Sequence, residues 1–200
     1  KQLAALENLC QICQLLQCRY IRIFSFFIPE GQDPERYREA VLEKMRRFVQ
    51  VAERYGVMLL HENEKDIYGD TGARCKVILD ALGGPNLRAA FDFANFVQCG
   101  EDTAVCWEML KPYIEYIHIK DAVAATRENV PCGTGEGKIP QLLAQAIRDG
   151  YEGFLTLEPH LVRFVSLQSL EKQDAAEVIK ADKAENGAQG YAIQYRALKE

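Results

Sequence analysis

Four short apolar runs in this sequence each finish in a side chain that can bind a metal or move a proton. Val57 to Glu64 carries Glu62 near its end, Leu87 to Phe91 ends in Asp92, Tyr116 Ile117 leads to His118, and Phe154 to Leu157 ends in Glu158. Successive side chains of a strand point to opposite faces. Glu62 therefore shares a face with Leu60 and Met58, Asp92 with Ala90, His118 with Tyr116, and Glu158 with Thr156. If those faces all look inward, three carboxylates and an imidazole meet at one end of the strands. A single acid at a strand end is ordinarily a solvated terminus or a helix cap. Four in succession with matching parity, one of them histidine, point instead to a divalent metal held by Glu62, Asp92, His118 and Glu158.

The elements that must position these groups alternate. Leu3 to Cys18 has helical periodicity, and Tyr20 to Ile28 reads as a strand closed by Pro29, Gly31 and Pro34. Asp33 and Pro34 supply an N-cap and first position for a helix that runs to Tyr55 and stops at Gly56. After the Glu62 strand comes a helix from about Thr71 to Leu82, then the Asp92 strand, and then a helix over Asp102 to Lys111. The His118 strand follows, then a long loop, a helix over Ile139 to Asp149, and the Glu158 strand. A polar stretch to about Asn186 precedes a last helix from about Ala188 to Leu198.

Strand and helix in strict alternation mean parallel strands joined by helical crossovers, with the chemistry at their C-terminal ends. Four ligands from four consecutive strands favour a closed (β/α)8 TIM barrel over an open sheet, because curvature brings the strand ends round one centre. Such a barrel has eight strands and typically about 250 residues. Five strands in 200 residues, beginning at Lys1 in mid-pattern, therefore read as a single partial α/β TIM-barrel domain over 1–200. The expectation is a barrel truncated at the N-terminus, with about the last five βα units present, or one whose open edge strands are covered by another chain, as in a homo-oligomer.

Composition narrows the function. At 48% hydrophobic and 26% charged the chain has the make-up of a soluble globular protein. With 24 basic against 29 acidic residues, a net charge of -5 provides no electrostatic footprint for nucleic acid. No apolar run approaches the roughly 20 residues of a membrane helix, and the N-terminus lacks a signal pattern, so a cytoplasmic location is expected. Seven cysteines, an odd and scattered set, argue for reduced thiols. Cys10 and Cys13 have the spacing of a redox or zinc pair, but no second pair completes four ligands, and they read as buried, inert thiols.

Read together, Ile21 Arg22 Ile23 Phe24, Leu60 His61 Glu62 Asn63, Phe91 Asp92 Phe93 Ala94 Asn95, Ile117 His118 Ile119 Lys120 Asp121, Gly135 Glu136 Gly137 and Leu157 Glu158 Pro159 His160 resemble the xylose-isomerase-like barrels. Within them the resemblance is to the sugar phosphate isomerase/epimerase group, aligned to the last five of eight strands. It implies a metal site of Glu62, Asp92, His118 and Glu158, for which Mn, Mg, Co and Zn all suit the donor set. It also implies isomerisation or epimerisation of a small carbohydrate, free or phosphorylated, through an enediolate. A Lewis acid on the carbonyl acidifies the neighbouring C–H, and Glu62 and Glu158 are the pair that remove and return the proton.

Lys120 shares the parity of His118 and Arg22 that of Phe24, so both are candidates for substrate binding, as are Glu64 and Asn95. The bland alternatives are a lysine at a strand exit and an arginine partnering an interior carboxylate. The loop Cys132 to Lys138 either closes over substrate or is a turn before a helix. It is not a P-loop, since Gly137 Lys138 is followed by Ile139. His61 and His160 read as structural or supporting groups. Competing readings are a metal-dependent dehydratase or lyase on a polyol or keto acid, and an inactive fragment. A multi-zinc endonuclease is disfavoured by three histidines in all, by Asn95 where such a pattern has His, and by the negative charge.

Overall fold

In the computed structural model of the chain, which describes residues 1–162 and 183–200, the strands of the main sheet are separated by helices as the sequence requires. The first elements are α1 (Gln2–Leu16), β1 (Tyr20–Ile23), α2 (Arg38–Tyr55), β2 (Met58–Glu62), α3 (Gly72–Leu82) and β3 (Leu87–Asp92). Then come α4 (Phe93–Gln98), α5 (Thr103–Leu110), β4 (Ile114–Ile119), β5 (Asp121–Ala122), β6 (Asn129–Val130), α6 (Ile139–Arg148), β7 (Phe154–Leu157) and α7 (Gly187–Lys199). Five strands form one sheet in the order β1-β2-β3-β4-β7. The β1/β2 and β2/β3 pairs are parallel, with Arg22 opposite Leu60 and Glu62 opposite Ala90. Residues group into two compact units, Lys1–Phe91 with Cys106–Tyr116, and Asp92–Val105 with the described part of Ile117–Glu200.

Local chemistry accounts for the boundaries. The Asp33 carboxylate accepts the Glu35 N–H at 3.0 Å and Pro34 starts a 3-10 turn that leads into α2. Gly56, at φ 65°, takes the left-handed conformation that ends α2. That helix buries Val41, Leu42, Met45 and Val51 on one face, roughly 1.5–3 kcal/mol for each side chain fully withdrawn from water. Thr71 caps α3 by accepting the Arg74 N–H. In the first unit, Met58, Leu60 and Ala90 pack together beneath Tyr20 and Tyr116. In the second, Ala94, Val97 and Ala122 form a cluster of their own.

Three features depart from the sequence reading. The first strand stops at Ile23 rather than Ile28, because the chain leaves the sheet and bonds to the segment after β2. Ile28 N–H donates to Asp66 O and Tyr68 N–H to Phe26 O, each at 2.9 Å. Helix α4 was missed: all six of its residues are buried, so no polar face marks its period. The long loop after β4 also holds a small antiparallel sheet of β5 and β6. Of the expected polar stretch before the last helix, 163–182 lies outside the described residues. Among the described residues no helix is long and apolar enough to cross a membrane.

Candidate metal centre

Each of the four ligand-type residues stands at the C-terminal end of its strand. Glu62 is the last residue of β2 and is buried, and its Oε2 accepts from Arg22 Nη1 at 2.7 Å. The Arg22 guanidinium stacks over the Phe24 ring, 4.7 Å from its centroid, and is half exposed. Arg22 is thus the partner of an interior carboxylate, one of the two roles its parity allowed.

Asp92 ends β3 and divides its two oxygens between two tasks. Oδ1 caps α4 by accepting the Asn95 N–H at 2.8 Å. Oδ2 lies 3.1 Å from Lys120 Nζ and 3.8 Å from His118 Nδ1. The helix cap that is the ordinary reading of such an acid is real here, and it fixes the rotamer that aims the second oxygen.

His118 and Lys120 project from the same side at the end of β4, and both are buried. His118 Nδ1 is 3.3 Å from Glu158 Oε1, and Lys120 Nζ is 3.7 Å from Glu158 Oε2. Glu158 follows β7, tied to β4 by its N–H on the Ile119 carbonyl at 3.1 Å. His160 Nε2 stands 3.7 Å from Glu158 Oε2. Burial alone raises the Glu158 pKa, but the His160 hydrogen bond and the nearby Lys120 and His118 outweigh it and hold the carboxyl far below its ordinary value. Glu158 is a carboxylate at any physiological pH.

Taken as ligand atoms, one each from Glu62, Asp92, His118 and Glu158 lie within 4.8 Å of one another. Ligands with bonds of about 2.1 Å to one ion span at most about 4.2 Å, so the observed spread is too wide by less than an ångström. Three hard carboxylates and a borderline imidazole fit Mn, Mg, Co or Zn, and no thiolate is present to select a softer ion.

The remaining candidates are placed as follows. Asn95 is buried in the first turn of α4, where its backbone serves the Asp92 cap. Glu64 is half buried beyond β2 and accepts the Lys65 N–H at 2.8 Å. His61 points to the other face of β2 and is wholly buried, with its ring edge so close to Gly69 that a Cβ there would fall 2.4 Å from Cε1. Burial drives its pKa down to about 4, only partly opposed by Glu62, so the ring is neutral.

Asp121 stands in the motif with His118 and Lys120, but the sequence assigns it no role. Its carboxylate is completely buried and gathers four backbone donors. Oδ2 accepts from Gly133 N–H at 2.9 Å and Gly135 N–H at 3.0 Å, while Oδ1 accepts from Gly137 N–H and Ala122 N–H, each at 2.9 Å. A Cβ on Gly135 would fall 2.5 Å from both Ala122 O and Asp121 Oδ1, so only glycine passes there. The loop is held as a fixed turn before α6. Sequence reasoning missed Gln194 of α7: it is fully buried, donating to the Ile119 carbonyl and accepting the Cys132 N–H.

A family model described as xylose isomerase-like TIM barrel matches residues 1–182. The chain belongs to the xylose isomerase-like TIM barrel family. A 3-dehydroshikimate dehydratase of Bacillus anthracis is 21% identical over 125 residues, which is 62% of this chain and 45% of that protein. Among solved structures of the same fold, a D-tagatose 3-epimerase-like protein matches with a TM-score of 0.66 at 20% identity, covering 75% of this chain and 59% of the other. The IOLI protein, with a bound zinc atom, matches with a TM-score of 0.66 at 17% identity, covering 78% of this chain and 59% of the other. The chain therefore spans between 45% and 59% of the length of these three proteins. In this xylose isomerase-like chain the five-stranded sheet carries all four ligand-type residues at its C-terminal edge, the end at which such barrels keep their active sites.

Proposed function

We propose that this chain carries the metal site of an enzyme that isomerises or epimerises a small carbohydrate or its phosphate, with Glu62, Asp92, His118 and Glu158 as ligands. The observation that carries this reading is the convergence of these four donors within 4.8 Å. A divalent cation held by them supplies Lewis acidity to a carbonyl oxygen and to the negative charge that develops there.

The chain's own residues do the rest. Glu158 is held ionised by His160, Lys120 and His118 and takes the proton from the carbon next to the carbonyl, leaving an enediolate. Glu62, its Oε2 fixed by Arg22, carries on its other oxygen a proton drawn from solvent and delivers it to carbon, while the proton on Glu158 passes to solvent. Delivery from the opposite side inverts the centre, and delivery to the adjacent carbon, with the hydroxyl proton passed from one oxygen to the other, moves the carbonyl. Lys120 balances the charge of Asp92 and Glu158 and is the cation nearest to a substrate oxyanion. Arg22, Glu64 and Asn95 complete the substrate contacts in this reading.

The dehydratase similarity favours a second reading, in which the same proton removal is followed by expulsion of a β-hydroxyl. One experiment separates the two. Ketoses, their phosphates and cyclic hydroxy-keto acids are incubated with Mn-loaded protein in deuterated water, and products are read by NMR and mass. Deuterium at the carbon next to the carbonyl without loss of water supports isomerisation or epimerisation, and loss of water supports the dehydratase. Glu158→Gln is expected to slow either reaction by about 10³-fold with an unchanged circular dichroism spectrum. Turnover that survives this substitution would remove Glu158 from the mechanism.

A further inference from the structure

The C-terminal cap of α1 brings two thiols together. Gln17 sits in the left-handed region at φ 54°, and the Cys18 N–H donates to the Cys13 carbonyl at 2.8 Å while the Gln17 N–H donates to Gln14 O at 3.3 Å. This is a Schellman cap, whose geometry places the side chain just past the helix against the one a turn and a half earlier. Here those two side chains are Cys18 and Cys13. Both thiols donate to one oxygen, the Tyr20 carbonyl, from 3.4 Å and 3.8 Å respectively. Cys18 is exposed and Cys13 is buried, so one sulfur of the pair meets solvent reagents and the other waits behind it.

We propose that Cys13 and Cys18 form a dithiol site that closes to an intramolecular disulfide when the protein meets hydrogen peroxide. The Cys18 thiolate attacks one peroxide oxygen, the O–O bond breaks, and hydroxide leaves and is protonated to water, giving a sulfenic acid on Cys18. The Cys13 sulfur then attacks the Cys18 sulfur, the S–O bond breaks, and the second hydroxide takes the Cys13 proton and leaves as water. Two thiols have lost two protons and two electrons, and one peroxide has become two waters. The roles follow from exposure: the accessible sulfur is oxidised first and the buried one resolves it. Burial, then the neighbouring Cys18 and its hydrogen bond, push the Cys13 pKa up, which suits a thiol that stays protonated until a sulfenic acid is beside it.

Cys10 sits one turn before Cys13 and is fully buried, so it is the control for specificity. Folded protein is treated with hydrogen peroxide, quenched, alkylated in denaturant and mapped without reduction. Cleavage after Leu15 or Leu16 separates the two cysteines, so halves that remain joined report the bond. The expected result is loss of two of the seven alkylatable thiols, a linked Cys13–Cys18 peptide, and full recovery with dithiothreitol. Cys18→Ala should keep all its remaining thiols, Cys13→Ser should stop at oxidised, unlinked Cys18, and Cys10→Ser should crosslink like the parent. Seven thiols surviving in the parent, a different linked pair, or loss of the link in Cys10→Ser would overturn the proposal.

Discussion

Strand β4 carries a charged cluster at each end, and the two ends obey different physics. At its N-terminal end Glu115 accepts from the Tyr20 hydroxyl at 2.8 Å and stands 4.0 Å from both Arg19 and Arg88, with the Arg19 side chain 65% exposed. At its C-terminal end His118 and Lys120 face Asp92 and Glu158 at 3.1–3.8 Å, with Asp92 wholly buried. Exposed pairs are screened by water and contribute at most about 1 kcal/mol. Buried ones carry a desolvation cost of several kcal/mol per ion that their attraction only partly offsets. The same residue types therefore serve solubility and a little stability at one end. At the other they are held out of water at a cost that stability alone does not justify. That difference, more than the identity of the residues, is what singles out the C-terminal end as the candidate site.

The comparison breaks most visibly at Lys120. In protein treated with a chelator, Lys120→Met leaves the Asp92 and Glu158 carboxylates without their buried cation and should cost about 3 kcal/mol or more in urea unfolding. A loss below about 1 kcal/mol would put this end on the same footing as the Glu115 end.

A smaller effect separates burial from pairing. His61 is buried on the other face of β2, and its pKa lies at about 4 against an ordinary 6.5. As pH falls the unfolded chain takes up the proton first, so stability is full above about pH 6.5 and declines toward pH 4. At about 1.4 kcal/mol per pH unit, the parent should lose about 2 kcal/mol between pH 7 and pH 5 that His61→Asn does not lose. Equal pH slopes for parent and variant would mean that His61 takes up its proton as readily in the folded protein as in the unfolded chain. The smallest effect is expected at the exposed end, where Glu115→Gln should change unfolding free energy by under about 1 kcal/mol, less still in high salt.

Much of this was legible in the sequence because strands have a period of two. Glu62, Asp92, His118 and Glu158 were read from parity alone, and Lys120 joins them in space as its parity with His118 implied. The cap at Asp33 and the stop at Gly56 follow from side-chain chemistry that acts within a few residues. What escaped has a different physical origin. The end of β1 is set by backbone bonds to a segment some forty residues away, Phe26 and Ile28 with Tyr68 and Asp66, which leave no local pattern. The role of Asp121 was hidden because its partners are backbone N–H groups, and the only trace of them is the alternation of Gly133, Gly135 and Gly137. Gln194 bonds to residues more than sixty positions away, and no local signal marks it.

The Asp121 loop has a consequence for motion. A segment rich in glycine and without regular secondary structure is usually where amide protons exchange fastest with solvent. Here the amides of Gly133, Gly135 and Gly137 are locked onto one buried carboxylate and can exchange only when all of its bonds open together. They should exchange as slowly as helix interiors, and more slowly than the exposed strand of Phe154 and Leu155. A segment with that protection would act as a fixed support and not as a lid.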